Sequence, residues 1–333
     1  MGSKLAVLGA GSWGSALASV LHENGHDVSI WTRDETQQNE INTSHTNKHY
    51  LPDFKFPDEI RATTDLAKVV KDVEAIVVVI PTSGIRDLAQ RLNKLLDRKV
   101  TVIHASKGLE RDTHKRISTI LEEELSSNWV NGIVALSGPS HAEEVINRDL
   151  TTITAASVDT DSARYVQKLF INDYFRVYTN TDIIGVEIGA ALKNIIAIGA
   201  GIIAGLGFGD NAKAGLVTRG LAEISRLGVE MGADPLTFMG LSGVGDLIVT
   251  CTSPHSRNWR AGYQLGQGQA IQSVLENMGM VVEGVSTTQA AFELAKEHGI
   301  EMPITEAIYD VLYKDAEVKY VILNLMQREG KAE

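Results

Sequence analysis

The sequence predicts an α/β domain doubly wound about a mostly parallel sheet, followed by an all-α domain. Three observations carry that prediction. Apolar, β-branched runs alternate with helical patterns through the first half. Those runs are apolar throughout rather than at every second residue, as expected when helices cover both faces of a sheet. Beyond about residue 182 the strand signals stop and long helical patterns take over.

Taken in order, KLAVL at 4–8, DVSIW at 27–31, AIVVVI at 75–80, VTVIH at 100–104 and GIVAL at 132–136 read as strands, with 152–156 and 174–178 as further candidates. Helical spacing falls between them at 14–24, 63–71, 84–96 and 112–125. The second half reads as helices at 182–206, 210–231, 257–266, 285–298, 303–313 and 315–326. The expected division is a domain over 1–185 and a domain over 186–333. The polar end, REGKAE, is expected to fray.

A chain of 333 residues suits two domains, and 44% hydrophobic with 22% charged residues is ordinary globular composition. The 31 basic against 42 acidic side chains leave a net charge of −11. Such a field repels DNA, RNA and anionic lipid, so no nucleic-acid partner is expected. A small anionic substrate would need a locally positive site built against that field. The single cysteine, Cys251, forms no internal disulfide and no cysteine metal cluster, and is expected to be a buried, inert thiol. That usage suits a reducing, cytoplasmic setting. The nine histidines show no metal-binding spacing, so no metal is expected. No signal peptide is expected, because the first strand begins by Lys4, and Ala6 stands where myristoylation wants Ser or Thr.

The stretch IIGVEIGAALKNIIAIGAGIIAGLGF, from Ile183 to Phe208, is long and apolar enough to suggest a membrane span. Glu187 and Lys193 lie well inside it and would be costly in lipid. A helix buried in a soluble domain, without membrane insertion, is the better reading. Its charges then need a reason.

GAGSWGSALA, Gly9 to Ala18, follows the first strand and opens a helix. Gly9, Gly11 and Gly14 make G-x-G-x-x-G, a dinucleotide fingerprint in that context and a mere glycine-rich turn outside it. Gly9 permits the tight turn, Gly11 lets backbone approach a pyrophosphate, and Gly14 lets helix pack on strand. The free N–H groups of the helix start would meet the anion. This is a Rossmann-type plan. The second strand ends at Thr32 and Arg33, and a neutral residue then an arginine suits a 2′-phosphate, pointing to NADP(H). Asp34 follows at once, so NAD(H) is expected to be accepted as well.

Lys107 in HASKGLE, and Gly138 and Ser140 in ALSGPSHAEE, follow strands at the carboxyl edge where open α/β sheets bind ligands. In EIGAALKN, Lys193 stands in an apolar helix beside Asn194, and a buried lysine without a partner would move toward its neutral form, suited to proton transfer. A purely structural ion pair is the alternative. In GVGDLIVTCTSPHSRN, Asp246 could pair with Lys193, and Ser256, Arg257 and Asn258 begin a helix, either as a phosphate cradle or as a simple capped loop.

Six ordered stretches, GAGSWGSALA, SKGLE, LSGPSHAEEV, EIGAALKNIIAIGAGI, LSGVGDLIVTCTSPHSRN and VEGVSTT, resemble the bacterial NAD(P)-dependent glycerol-3-phosphate dehydrogenase family. The resemblance implies a Rossmann domain, a helical domain and an active site in the cleft between them. It implies interconversion of dihydroxyacetone phosphate and sn-glycerol 3-phosphate, supplying a glycerophospholipid precursor. On that resemblance Lys193 is the catalytic proton carrier, and Lys107, Gly138, Ser140, Asn194, Asp246, Thr250, Ser256, Arg257 and Asn258 are substrate contacts. Ser12, Trp13, Arg33, Lys107, Ala142, Arg257, Val281 and Glu283 would contact the cofactor. A homodimer is compatible with the apolar helical half. Two other readings stay open on the residues: a two-domain reductase of the hydroxyacid or phosphogluconate type, and a non-catalytic NADP(H) sensor.

Overall fold

The computed structural model describes residues 2–279 and 281–330. The chain forms two compact units, one of Met1–Lys107 with Arg116–Ile183, the other of Gly108–Lys115 with Ile184–Glu333.

The first unit carries strands β1 (Lys4–Leu8), β2 (Asp27–Trp31), β3 (Thr46–Asn47), β4 (Leu51–Lys55), β5 (Arg61–Thr63), β6 (Ala75–Val78), β7 (Val100–His104), β8 (Val130–Ser137), β9 (Thr151–Ala156) and β10 (Phe175–Asn180). Eight of them make one sheet in the order β10-β9-β8-β7-β6-β1-β2-β5, while β3 and β4 pair by themselves. Every pairing in the large sheet is parallel except β8 with β9. Its helices are α1 (Ser12–Glu23), α2 (Glu35–Ser44), α3 (Leu66–Val70), α4 (Ile85–Leu95), α5 (Ile117–Glu124), α6 (Ala142–Ile146) and α7 (Thr160–Phe170). Leu5, Val7, Leu17, Leu21, Ile30, Val77, Ile103, Val134, Phe170 and Phe175 are among the buried side chains of its core. The chain leaves β1 for β2 and β5 on one side and returns to β6 on the other, which makes the carboxyl ends of β1 and β6 the switch point of the sheet.

The departures from expectation have local causes. Between β2 and β6 the sequence offered only the helix at 63–71, yet the chain there also folds into α2, β3, β4 and β5; α2 buries Ile41 alone and owes its start to the Asp34 carboxylate, which accepts from the Thr36 and Gln37 N–H groups. The helix expected at 63–71 is only Leu66–Val70, begun by Asp65 as its cap. The helix expected at 112–125 is Ile117–Glu124, because His114 adopts a left-handed backbone with φ of 55°.

The second unit is helical: α8 (Ile183–Gly205), α9 (Asp210–Glu230), α10 (Asp246–Thr252), α11 (Arg257–Gly266), α12 (Ile271–Met278), α13 (Glu283–Glu297), α14 (Pro303–Tyr313) and α15 (Val318–Met326), with a 3₁₀ turn at Pro235–Met239 and a wide π turn at Leu241–Gly245. The apolar stretch is indeed α8, and 83% of its most apolar window is buried inside the protein. Its glycines allow backbone-to-backbone packing. A methyl group on Gly201 would lie 2.0 Å from the Trp259 carbonyl oxygen, and one on Gly262 would lie 2.0 Å from that of Ile198. Glu223 of α9 is buried and caps α14 from the side, accepting from the Ile304 N–H at 2.7 Å and the Thr305 N–H at 3.1 Å.

The excursion Gly108–Lys115, placed by the sequence in a domain over 1–185, lies with the helical unit. Leu109 joins the helical core, and His114 Nε2 meets Glu293 Oε2 at 2.9 Å.

Candidate active site

In the first unit the glycine-rich turn sits at the switch point. Gly9 has φ of 125°, and a methyl group there would lie 2.2 Å from the Val79 carbonyl oxygen, so only glycine fits. A methyl group on Gly14 would strike the Gly9 carbonyl oxygen at 1.9 Å. Gly11 differs: its missing Cβ would meet only the Tyr50 ring edge, at 4.0 Å. The room beside Gly11 is therefore not filled by protein, which is what a closely approaching ligand backbone needs. Gly11 caps α1 without a side-chain bond to the helix N–H groups. The turn thus fits the pyrophosphate of a dinucleotide.

Ser12 donates to the Tyr50 carbonyl oxygen at 3.1 Å, and Trp13 packs half-buried on the core. Gln37 and Asn47 both donate to the Ala10 carbonyl oxygen, at 2.7 and 2.8 Å. Sequence reasoning missed these two and Tyr50, because they lie in the polar segment that showed no periodicity. Arg33 is exposed and makes no ion pair among the described residues. Asp34, which on sequence pointed toward NAD(H), is committed to the α2 cap.

Lys107 is half-buried two residues beyond Ala105, and its carbonyl oxygen accepts from Thr82 Oγ1 at 3.1 Å. Gly138 has φ of 150° and lies against Ile153, whose Cα a methyl group would approach to 2.8 Å, so its glycine has a packing reason as well. Ser140 Oγ donates to the Gly138 carbonyl oxygen at 2.9 Å, and Ala142 begins α6, buried.

In the second unit Lys193 of α8 is 5% exposed, and its ammonium meets Asp246 Oδ1 and, at 2.7 Å, Thr250 Oγ1. The Thr250 hydroxyl in turn donates to the Asp246 backbone carbonyl at 2.6 Å. Lys193 therefore has an anionic partner, which offsets much of the cost of burying its charge and replaces the partnerless amine that the sequence alone left open. The π turn at Leu241–Gly245 delivers Asp246 as the first residue of α10, and Thr250 follows one turn later. Such wide turns recur at functional sites. Gly189 lets α8 lie against that turn: a methyl group there would lie 2.7 Å from the Ser242 carbonyl oxygen.

Beside this cluster a second one ties three helices. Asn258 Nδ2 donates to Asn194 Oδ1 at 2.9 Å, Asn258 Oδ1 accepts from the Gly284 N–H at 2.8 Å, and Asn194 Nδ2 approaches Glu283 Oε2 at 3.5 Å. Ser256 caps α11 by accepting from the Trp259 N–H at 3.2 Å. Arg257, the first residue of α11, is half-exposed and has no ion-pair partner among the described residues. Val281 is exposed and Glu283 opens α13. Glu187 is buried in α8. Cys251 is fully buried, and desolvation pushes its thiol up to about 12, against the pull of Lys193. Among the described residues no group of three or more His, Cys, Asp or Glu could hold a metal ion.

Residues 4–163 and 182–323 match, respectively, the N-terminal and C-terminal descriptions of NAD-dependent glycerol-3-phosphate dehydrogenase. The chain belongs to that family. Among its relatives, the glycerol-3-phosphate dehydrogenase (NAD(P)+) of Enterococcus faecalis is 65% identical, covering 100% of this chain and 98% of that one. That of Streptococcus pneumoniae is 62% identical, covering 99% and 97%. The crystal structure of glycerol-3-phosphate dehydrogenase from Coxiella burnetii has a TM-score of 0.94 at 35% identity, covering 98% of this chain and 99% of that one.

Proposed function

We propose that the protein interconverts dihydroxyacetone phosphate and sn-glycerol 3-phosphate with NAD(P)H, the activity for which its full-length relatives are named. The observation that carries this reading is the buried Lys193–Asp246–Thr250 cluster, in a chain whose other half bears a dinucleotide turn. When bound, the reduced nicotinamide supplies the hydride that adds to the ketone carbon. Lys193 Nζ gives its proton to the ketone oxygen as that oxygen becomes an alkoxide, and in the reverse direction takes a proton from the alcohol. Asp246 and Thr250 hold the ammonium in one orientation, so little reorganisation accompanies proton transfer. Burial of the cluster keeps bulk water from competing for that proton.

Arg257 is suited to the substrate phosphate. Its guanidinium is uncommitted among the described residues and stands at a helix N-terminus, where anions are favoured. Asn258 retains one amide hydrogen beyond its bonds to Asn194 and Gly284. Lys107, Gly138, Ser140, Asn194 and Ser256 complete the proposed substrate contacts. Ser12, Trp13, Arg33, Lys107, Ala142, Arg257, Val281 and Glu283 are the proposed cofactor contacts. NADPH is the proposed preferred donor, since Arg33 is uncommitted and Asp34 is engaged in capping. The product in the reducing direction is the backbone of glycerophospholipids. The deciding experiment follows loss of the reduced-nicotinamide absorbance on adding dihydroxyacetone phosphate, with NADPH and NADH compared. Tight cofactor binding with no turnover would overturn the reading in favour of a sensor.

A further inference from the structure

The dinucleotide turn and the Arg33 segment are joined by one side chain. Gln37 Nε2 donates to the Ala10 carbonyl oxygen at 2.7 Å and to Asn47 Oδ1 at 3.1 Å. Its Oε1 accepts from Thr32 Oγ1 at 2.5 Å. The Ala10 carbonyl can only accept, which fixes the orientation of the Gln37 amide and makes the Thr32 hydroxyl the donor. That hydroxyl in turn accepts from the Asp34 N–H at 3.2 Å. On the other side Asn47 Nδ2 donates to the Ala10 carbonyl oxygen at 2.8 Å and to Ser15 Oγ at 3.0 Å. Thr32, Asn47 and Ser15 are buried. Both amide groups are satisfied at every hydrogen and at the carbonyl oxygen, and a fully satisfied buried network rigidifies the backbone bonded to it.

That backbone forms two ends of one ligand site. Ala10 lies between Gly9 and Gly11 of the turn, and Arg33 lies between Thr32 and Asp34, both of which are bonded into the network. We infer that Gln37 is a positioning residue for cofactor selectivity, holding the phosphate-binding turn and the Arg33 segment at one separation. This rests on the cofactor site proposed above. Thr32 is the link on the selectivity side, and Asn47 the buttress on the turn side. A 2′-phosphate is bound strongly only if Arg33 stands at the right distance from the pyrophosphate; a ribose without that phosphate does not sense the distance through Arg33.

The test is titration of the reduced nicotinamide's fluorescence with three variants. Thr32→Val keeps the side-chain shape and removes the hydroxyl; Thr32→Ser keeps the hydroxyl; Gln37→Glu keeps the shape and removes both N–H donors. Thr32→Val should weaken NADPH about five- to tenfold, the effect of one lost buried hydrogen bond, and NADH less than about twofold. Thr32→Ser should retain the NADPH preference. Gln37→Glu, which severs the link at its turn end, should weaken both cofactors and NADPH about five- to tenfold more than NADH, and raise cofactor KM with kcat at saturation changed far less; equal weakening of the two would overturn the inference. Equal weakening of both cofactors by Thr32→Val, no weakening, or a Thr32→Ser variant that behaves like Thr32→Val would overturn the inference alone. Failure of the unsubstituted protein to bind either cofactor would overturn the cofactor reading and the inference together. Where Thr32→Val does not fold, Thr32→Ala is read the same way.

Discussion

At the scale of single residues, Lys193 is the charge partner of Asp246, and the proton carriage proposed for it is separable from that pairing. Removing the amine leaves the Asp246 carboxylate buried at 1% exposure without its partner, which costs about 3–5 kcal/mol. Lys193→Met should therefore lower both stability and kcat, the latter by about 10²–10⁴. The pair Lys193→Met with Asp246→Leu should recover most of the stability in urea unfolding and none of the kcat. Recovered turnover in the double variant would remove Lys193 from proton transfer. Arg257→Ala should mainly raise the KM for dihydroxyacetone phosphate, by about tenfold or more for a lost charged contact; steady-state kinetics at saturating NADPH checks this. The residues of this site were legible for unequal reasons. Lys193 betrayed itself as a charge in an apolar helix, and Gly9 by its spacing from Gly11 and Gly14. Gln37, Asn47 and Tyr50 gave no signal, since an amide or phenol in a polar segment looks the same whether it buttresses a turn or faces water.

At the scale of elements, the contact of α8 with α11 depends on absent side chains. Gly201→Ala drives a methyl into the Trp259 carbonyl and should cost about 1–3 kcal/mol or more. Gly215→Ala, in α9 with nothing within 4 Å of the new methyl, should instead stabilise by up to about 1 kcal/mol. Urea unfolding of the two variants gives opposite signs. The Glu223 cap adds a pH signature. Desolvation raises its carboxyl above the ordinary 4.5, although the Ile304 and Thr305 N–H groups oppose the shift. A raised carboxyl favours the protonated fold, so its contribution is full below 4.5 and is lost as pH climbs through the elevated value. The unfolding midpoint of the protein relative to Glu223→Gln should accordingly fall as pH rises from about 4 to about 7. The central strands were readable because they are buried on both faces and so apolar throughout, and the long helices because of their length and apolar content. The region of α2 to β5 was not, because Ile41 is the only buried residue of α2 and the rest of that helix is held by Asp34 and side-chain bonds. The antiparallel turn-back of β9 was also invisible: an apolar run gives no direction.

At the scale of the whole molecule, the net charge of −11 coexists with the arginines proposed above as anion contacts. Arg33 and Arg257 are spared ion pairs among the described residues, while Arg86 and Arg98 are taken up in pairs with Glu123, Glu124 and Asp72. Specific anion binding should then appear as stabilisation of the fold. NADPH at a hundred times its Kd should add about 2.7 kcal/mol, seen as a raised melting temperature, and NADH at the same concentration should add less. An unchanged melting temperature with both would count against the dinucleotide turn. The alternation of strands and helices had already set the class of fold. The helical allegiance of Gly108–Lys115 was beyond reach, because it depends on where His114 finds Glu293, 179 residues away in the chain.

The wide turn at Leu241–Gly245 has a consequence of its own. It ends where α10 begins, so the tally of residues in it sets the azimuth at which Asp246 leaves the backbone. Each residue added to or taken from a helix rotates the remainder of that helix by about 100°. A one-residue deletion there would preserve every functional group in the chain and still swing the carboxylate off its amine, an injury that no inventory of side chains would reveal.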